Sequence, residues 1–225
     1  LSFAGFYWRI IRINGDESIR LIYSGTKENH TGDDTQIGES VYHPSDNVAE
    51  EYGDYKISAV KNVVDNWYKT NILDKGYDNK IADTGYCNDT TKIDTKYFSS
   101  YDRLRNNKAP TLKCPNKERD LLSKSNNKLT YSVGILTLDE ASFAGGVYDF
   151  QNNNYYLRTG SEFWTMTPSE WNSYFVSTGN IGSYGSLEHS GVYLSAINVR
   201  PVLSLKPNVT ITSSDGTENN PFVVN

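Results

Sequence analysis

Only one stretch of this chain, Ser58 to Leu73, carries a sustained helical repeat. Val60, Val63, Val64, Trp67 and Ile72 recur at three- and four-residue steps, which gives one apolar face, and Ser58 is placed to cap the start. A stripe of this kind reads as core packing rather than as a partner-binding helix. The other apolar residues come in short runs, rich in β-branched and aromatic side chains and bounded by Gly, Pro, Asn and Asp. A chain so constrained builds its core mostly from short strands joined by long loops, which places it in the α+β class.

The strands can be read one by one. Phe3 to Ile13 is β-branched and aromatic and stops at Asn14-Gly15-Asp16, a hairpin signal, with Ile19 to Tyr23 as the returning strand. Ser24 to Asp54 is a long polar loop, and 74–130 is polar and irregular. Leu129 to Leu138 reads as a strand. Thr137 to Gly146 reads as a short helix, with Thr137 and Glu140 as a capping box and Gly145-Gly146 as its end. Tyr155 to Leu157, Phe163 to Met166, Val199 to Leu205 and Val209 to Ile211 read as strands. The stretch 168–198 alternates turn residues with lone aromatics. A turn at 213–221 precedes a closing strand at Phe222 to Val224. There is no internal repeat and no linker, so 1–225 reads as one domain.

The 225 residues are 37% hydrophobic and 13% aromatic, which excludes a disordered chain. No run approaches the roughly 18 apolar residues of a membrane-spanning helix. A net charge of -5 and a pI near 5.2 give no global field for phosphates, so nucleic acid is not an expected partner. Tyr numbers 17, with abundant Ser, Asn and Gly. That mixture dominates binding loops, because Tyr offers large contact area with few rotors; an AT-rich genome would enrich the same codons. Cys87 and Cys114 suit one disulfide in an exported domain, with two buried thiols as the alternative. Closing a loop of about 28 residues would stabilise by about 3.6 kcal/mol on the chain-entropy estimate. The opening strand pattern, with no signal peptide ahead of it, is expected to continue from a longer protein.

Motifs for chemistry are sparse. There is no nucleophile elbow, phosphate loop or dinucleotide fingerprint. Two cysteines and three scattered histidines (His30, His43, His189) show no zinc spacing. The acidic pairs Asp33-Asp34 and Glu50-Glu51 read as solvated surface. Asp33-Asp34 also lacks the spacing of a calcium-binding loop, and Asp139-Glu140 reads as favouring a helix N-terminus. His189, beside Glu188, has no visible partner and reads as exposed. Arg200, between Val199 and Pro201, reads as a structural clasp on carbonyls or a carboxylate. No cofactor or metal is expected, and the chain reads as non-catalytic.

Several strings taken in order resemble a known family. They are FAGFYWRIIRINGD, TGDDTQIG, VVDNWYKTNIL, PTLKCP, GILTLDEASFAGG, YYLRTGSEFWTMTPS, NVRPVLSLK and DGTENNPFVV. The match runs from about Phe3 to the end. It is similar to paralogous surface proteins of gut Firmicutes with a C-type-lectin-like core of the formylglycine-generating-enzyme type. Some members are variable proteins of diversity-generating retroelements, often carried on pilin-like stems. In those systems a reverse transcriptase diversifies adenine positions in a C-terminal repeat.

The resemblance implies a C-type-lectin-like fold with one main helix, one short helix and adjacent N- and C-terminal strands. It implies that Phe6 to Ile13 pairs near Val199 to Leu205, and that 206–225 is a C-terminal strand extension. Phe163 to Pro168 and Val199 to Val202 match the family's frame, so 169–197 would be the diversified ligand-binding segment. Its candidate residues are Ser169, Glu170, Trp171, Tyr174, Phe175, Ser183, Tyr184, Glu188, His189, Tyr193, Leu194, Ser195, Ala196 and Ile197. Phe175, Val176 and Val192 are the residues of this segment expected to pack inward. Asn198 stands where the family usually has Gly, and Asn tolerates positive φ there. The calcium-lectin signatures EPN and QPD are absent, and the mid-chain cysteines do not match the enzymes' catalytic ones. The expected function is non-catalytic recognition of a protein or glycan at a cell, phage or host surface, without membrane contact by this segment. The alternatives are a pilus or surface-layer subunit and a carbohydrate-active hydrolase.

Overall fold

The structure, a computed structural model, describes residues 1–45, 53–172, 174–194, 196–212, 214–217 and 219–224. Its strands are Ser2–Phe3 (β1), Phe6–Ile13 (β2), Ile19–Tyr23 (β3), Glu39–Ser40 (β4), Tyr86–Cys87 (β5) and Leu121–Leu122 (β6). Phe163–Trp171 (β7), Val176–Ile181 (β8), Leu187–Gly191 (β9), Ile197–Asn198 (β10), Val202–Leu205 (β11) and Val223–Val224 (β12) follow. The α-helices are Ala59–Tyr68 (α1), Ser99–Tyr101 (α2), Lys117–Asp120 (α3) and Leu138–Phe143 (α4). The α+β class read from the sequence therefore holds: mostly sheet, few helices, long loops. Among the described residues no helix is long and apolar enough to cross a membrane.

Ala4 and Gly5 both take positive φ (54° and 81°) and fold β1 back on β2. The β2–β3 hairpin is present, but its turn differs from the expected Asn-Gly form. Asn14 N–H donates to Ser18 O at 2.8 Å, and the left-handed residue is Glu17 (φ 64°), not Gly15. Asp16 explains the longer turn, because its carboxylate accepts from both the Ser18 N–H and hydroxyl. A register shift between Ile10 and Arg12 then sets Arg12 opposite Arg20.

The first sheet runs β11-β3-β2-β1-β12. β1 and β12 pair in parallel, so the terminal strands are neighbours as expected. β2 does not pair with β11, because β3 lies between them. The second sheet runs β4-β10-β7-β8-β9, and β5 pairs with β6.

Helix α1 begins as read, with Ser58 Oγ accepting from Lys61 N–H at 3.0 Å. Val60, Val64 and Ile72 are buried, and so is Tyr68, which the stripe did not include. Trp67 packs against Phe6, Trp8 and Tyr23, with ring centroids 5.2–6.1 Å apart. This aromatic cluster joins the helix to the first sheet.

Four stretches read as strands differ. Residues 132–138 are buried, and the stretch 129–138 forms only one bridge, Gly134 to Val202, before Leu136 O accepts from Met166 N–H. The segment crosses between the sheets, so it cannot run along either. Tyr155–Leu157 is a turn, anchored where Tyr155 OH donates to Ala141 O. Val199–Pro201 is the crossover from β10 to β11, and 209–211 has only the bridge of Ile211 to Val224. Asn198 lies in β10 rather than at a positive-φ turn. Cys87 and Cys114 form a disulfide with Cα atoms 5.5 Å apart, which staples the irregular middle of the chain.

Helix α4 locks the layers together. Its capping box is complete, and Glu140 is 3% exposed. Arg12 and Arg20 approach the Glu140 carboxylate at 2.6 and 3.0 Å. Asp139 takes a two-pronged contact from Arg103, which also reaches Asp89 at 3.0 Å. These two acids thus do more than favour the helix dipole. Arg200 is the clasp that was read: its guanidinium donates twice to Tyr23 O and once to Leu157 O. Burial pulls its pKa down to about 9, so it stays charged at neutral pH.

Burial pushes the Glu140 carboxyl up, but Arg20 and Arg12 outweigh it and hold the group below its ordinary value. The unfolded chain therefore binds more protons in this window. The stabilisation is present above the ordinary carboxylate pKa of about 4.3 and is lost as pH falls through the lower folded value. Glu140→Gln is expected to cost about 3–5 kcal/mol at pH 7, since it leaves buried arginine unpaired. Urea unfolding at pH 7 and at lower pH checks both points: the variant must lose less stability on acidification than the parent.

Candidate ligand-binding surface

The stretch 168–198, read as turns and lone aromatics, is largely an antiparallel meander of β7, β8 and β9. Every residue of β8 is buried, and so is every residue of β7 except Trp171. β7 and β8 therefore form a packed base, β9 is half-buried along its edge beyond Leu187, and the turns carry the exposed side chains.

At one end, Asn172 Oδ1 accepts from the N–H groups of Tyr174 and Phe175, at 2.8 and 3.1 Å. This side-chain turn leaves Tyr174 81% exposed. The β9–β10 connection arrives at the same end, because Val192 N–H donates to Val176 O at 3.0 Å. There Leu194 is 65% exposed, Ala196 is exposed and Tyr193 is half-buried. Trp171 and Phe175 are half-buried beside them, while Val176 and Val192 pack inward as expected.

The other candidates fall elsewhere. Ser183 and the exposed Tyr184 occupy the β8–β9 turn at the opposite end of a six-residue strand, roughly 20 Å away. Glu188 lies near that end, accepting from the Ser186 hydroxyl. Ser169, Glu170 and Ile197 are buried. Ser169 O accepts from Phe98 N–H, and Ile197 pairs with Ser40 in the sheet. Ser195 lies outside the described residues, as do Glu50 and Glu51.

His189 is half-buried rather than exposed, and it has a partner the sequence did not show. Its Nε2 lies 3.6 Å from Glu170 Oε1, and its ring meets Tyr101 and Tyr148 at 5.8 and 6.3 Å. Burial lowers its pKa, against the opposing pull of Glu170.

A further wall comes from residues that carry no local signal. The segment 96–98 pairs with the end of β7: Trp171 N–H donates to Lys96 O at 2.7 Å, and Phe98 N–H donates to Ser169 O at 3.0 Å. Lys92 Nζ then sits 4.1 Å from the centre of the Trp171 ring, and Lys96 Nζ 4.6 Å from that of Tyr97. Tyr97 stacks on Tyr101 at 4.3 Å. The end of the sheet is thus aromatic and apolar, with two lysines over its rings.

A second concavity lies beside the disulfide, with a volume of about 70 Å³. Asp89, Asp139 and Glu140 line it, and arginine engages each of the three. Despite burial, Arg20 and Arg12 hold Glu140 below its ordinary value, and hydrogen bonds from Ser99 and Thr91, then Arg103, do the same for Asp89. A general acid needs the opposite shift.

No family model, curated protein or solved structure matches the chain.

The His189 ring is expected to titrate below the unperturbed value of about 6.5, since burial is the larger influence on it. An NMR pH titration of the three histidines reads this directly. A midpoint for His189 at or above that of an unfolded peptide would show that Glu170 dominates.

Proposed function

We propose that this chain is a non-catalytic binding domain at a cell or virion surface, with a C-type-lectin-like scaffold of the retroelement-variable kind. It presents the end of the second sheet formed by Trp171, Tyr174, Phe175, Tyr193, Leu194 and Ala196 to a protein or glycan. The observation that carries this reading is the exposure of Tyr174 and Leu194 on turns at one end of a sheet whose β7 and β8 strands are buried. Large side chains held out by a stiff base lose little entropy on binding, so a shallow surface can still reach useful affinity. Tyr and Trp are the usual anchors of such surfaces. The disulfide is in keeping with an oxidising, extracellular setting.

The first test is on DNA. The locus is sequenced from many cells of one population, and the variable codons are mapped. Differences are expected at 171, 174, 175, 193, 194 and 196, where an adenine-bearing near-copy lies nearby, and not at the buried Ser169 or Ile197. A uniform segment, with changes scattered elsewhere, would remove the diversified reading and leave a fixed adhesin or a pilus subunit. On protein and glycan arrays, Tyr174→Ala and Leu194→Ala are each expected to weaken the best hit about tenfold, near 1.4 kcal/mol. Tyr184→Ala, at the far end of the sheet, is expected to leave that hit unchanged.

A further inference from the structure

A cavity of about 310 Å³ opens where the first sheet meets the 24–30 loop and the C-terminal turn. It shares no residue with the aromatic end of the second sheet. Its volume falls at the lower end of small-ligand pockets, about 300–1,000 Å³. Tyr7, Tyr156 and Phe222 contribute aromatic surface to its walls.

The polar groups of the lining are unevenly engaged. Arg9 Nη1 donates to Tyr156 O and, at 3.2 Å, to Arg158 O, which fixes the guanidinium in place. No bond from Arg9 Nε or Nη2 forms among the described residues, so N–H donors of the five on a guanidinium remain unused. Lys27 has no partner among the described residues either. His30 Nδ1 lies 3.1 Å from the carbonyl oxygen of Asp34. A carbonyl only accepts, so Nδ1 carries the proton and the neutral ring offers Nε2 as an acceptor. Glu28 accepts from Tyr7 OH at 3.3 Å and keeps further acceptor capacity.

This set favours some ligand chemistries over others. Two cationic side chains call for an anion. Glu28 disfavours a dianion, and the His30 and Glu28 acceptors need hydroxyl donors, which a phosphate dianion lacks. The aromatic walls suit the apolar C–H face of a ring. We propose that this cavity is a binding site for a hexuronic acid unit of a glycan. Its carboxylate meets Lys27 and Arg9, its hydroxyls donate to His30 Nε2 and Glu28, and its ring face covers the tyrosines.

Galacturonic acid and galactose differ at C6, a carboxylate against a hydroxymethyl, so they isolate the charge. Each is titrated into the protein and followed by NMR at His30, with the melting temperature of every variant measured alongside. Galacturonic acid is expected to bind about tenfold more tightly than galactose, the worth of one charge-assisted contact. Lys27→Met is expected to remove that preference, and Tyr156→Ala to weaken both sugars several-fold. Tyr174→Ala, outside this cavity, is expected to change neither, so this proposal and the proposed function fail separately. Equal binding of the two sugars would overturn the proposal. So would an unperturbed His30 at sugar concentrations on the order of 10 mM, or a preference that survives Lys27→Met in a folded variant.

Discussion

The buried carboxylate of Glu140 holds the architecture together. It closes the N-terminus of α4 through the capping box, and it sits between Arg12 and Arg20 on paired strands of the first sheet. Two arginines opposite each other on one sheet would repel. The carboxylate between them turns that repulsion into a tie between helix and sheet. Leu138, two residues earlier, occupies the space a side chain at Gly179 of β8 would need, so α4 also packs directly on the second sheet. One six-residue helix thus fixes how the two sheets face each other.

That arrangement explains why the second sheet can be buried and yet carry exposed side chains. The strands β7 and β8 are covered along their length, so polar residues such as Thr165 and Ser169 are satisfied inside rather than displayed. Only the turns escape. The exposed aromatics of this meander sit there, Tyr174 at one end and Tyr184 at the other. The two ends are separate surfaces, set apart by the length of β8.

The sequence made local features legible and distant ones not. The cap at Ser58, the box at Thr137 and Glu140, the strand Ile19–Tyr23 and the clasp at Arg200 each rest on neighbouring residues or on one residue's chemistry, and each is present. Residues 129–138 misled because burial and β-branched residues look alike in a strand and in a buried connection. The candidate surface was half legible. Tyr174 and Leu194 follow from turn-rich sequence, but Ser169 and Ile197 look the same on paper and are buried. Lys92, Lys96 and Tyr97 could not be found locally, because Trp171 lies more than seventy residues away. The arginine partners of Glu140 were hidden for the same reason, and Glu170 meets His189 only because β7 and β9 flank β8.

The parallel pairing of β1 with β12 has a mechanical consequence. Ser2 aligns with Val223 and Phe3 with Val224, so the chain leaves the two strands in opposite directions. Tension applied between residues 1 and 224 therefore slides these strands past each other. Their hydrogen bonds carry the load together instead of opening one after another like a zip. The same contact that closes the first sheet makes it resist shear along that line.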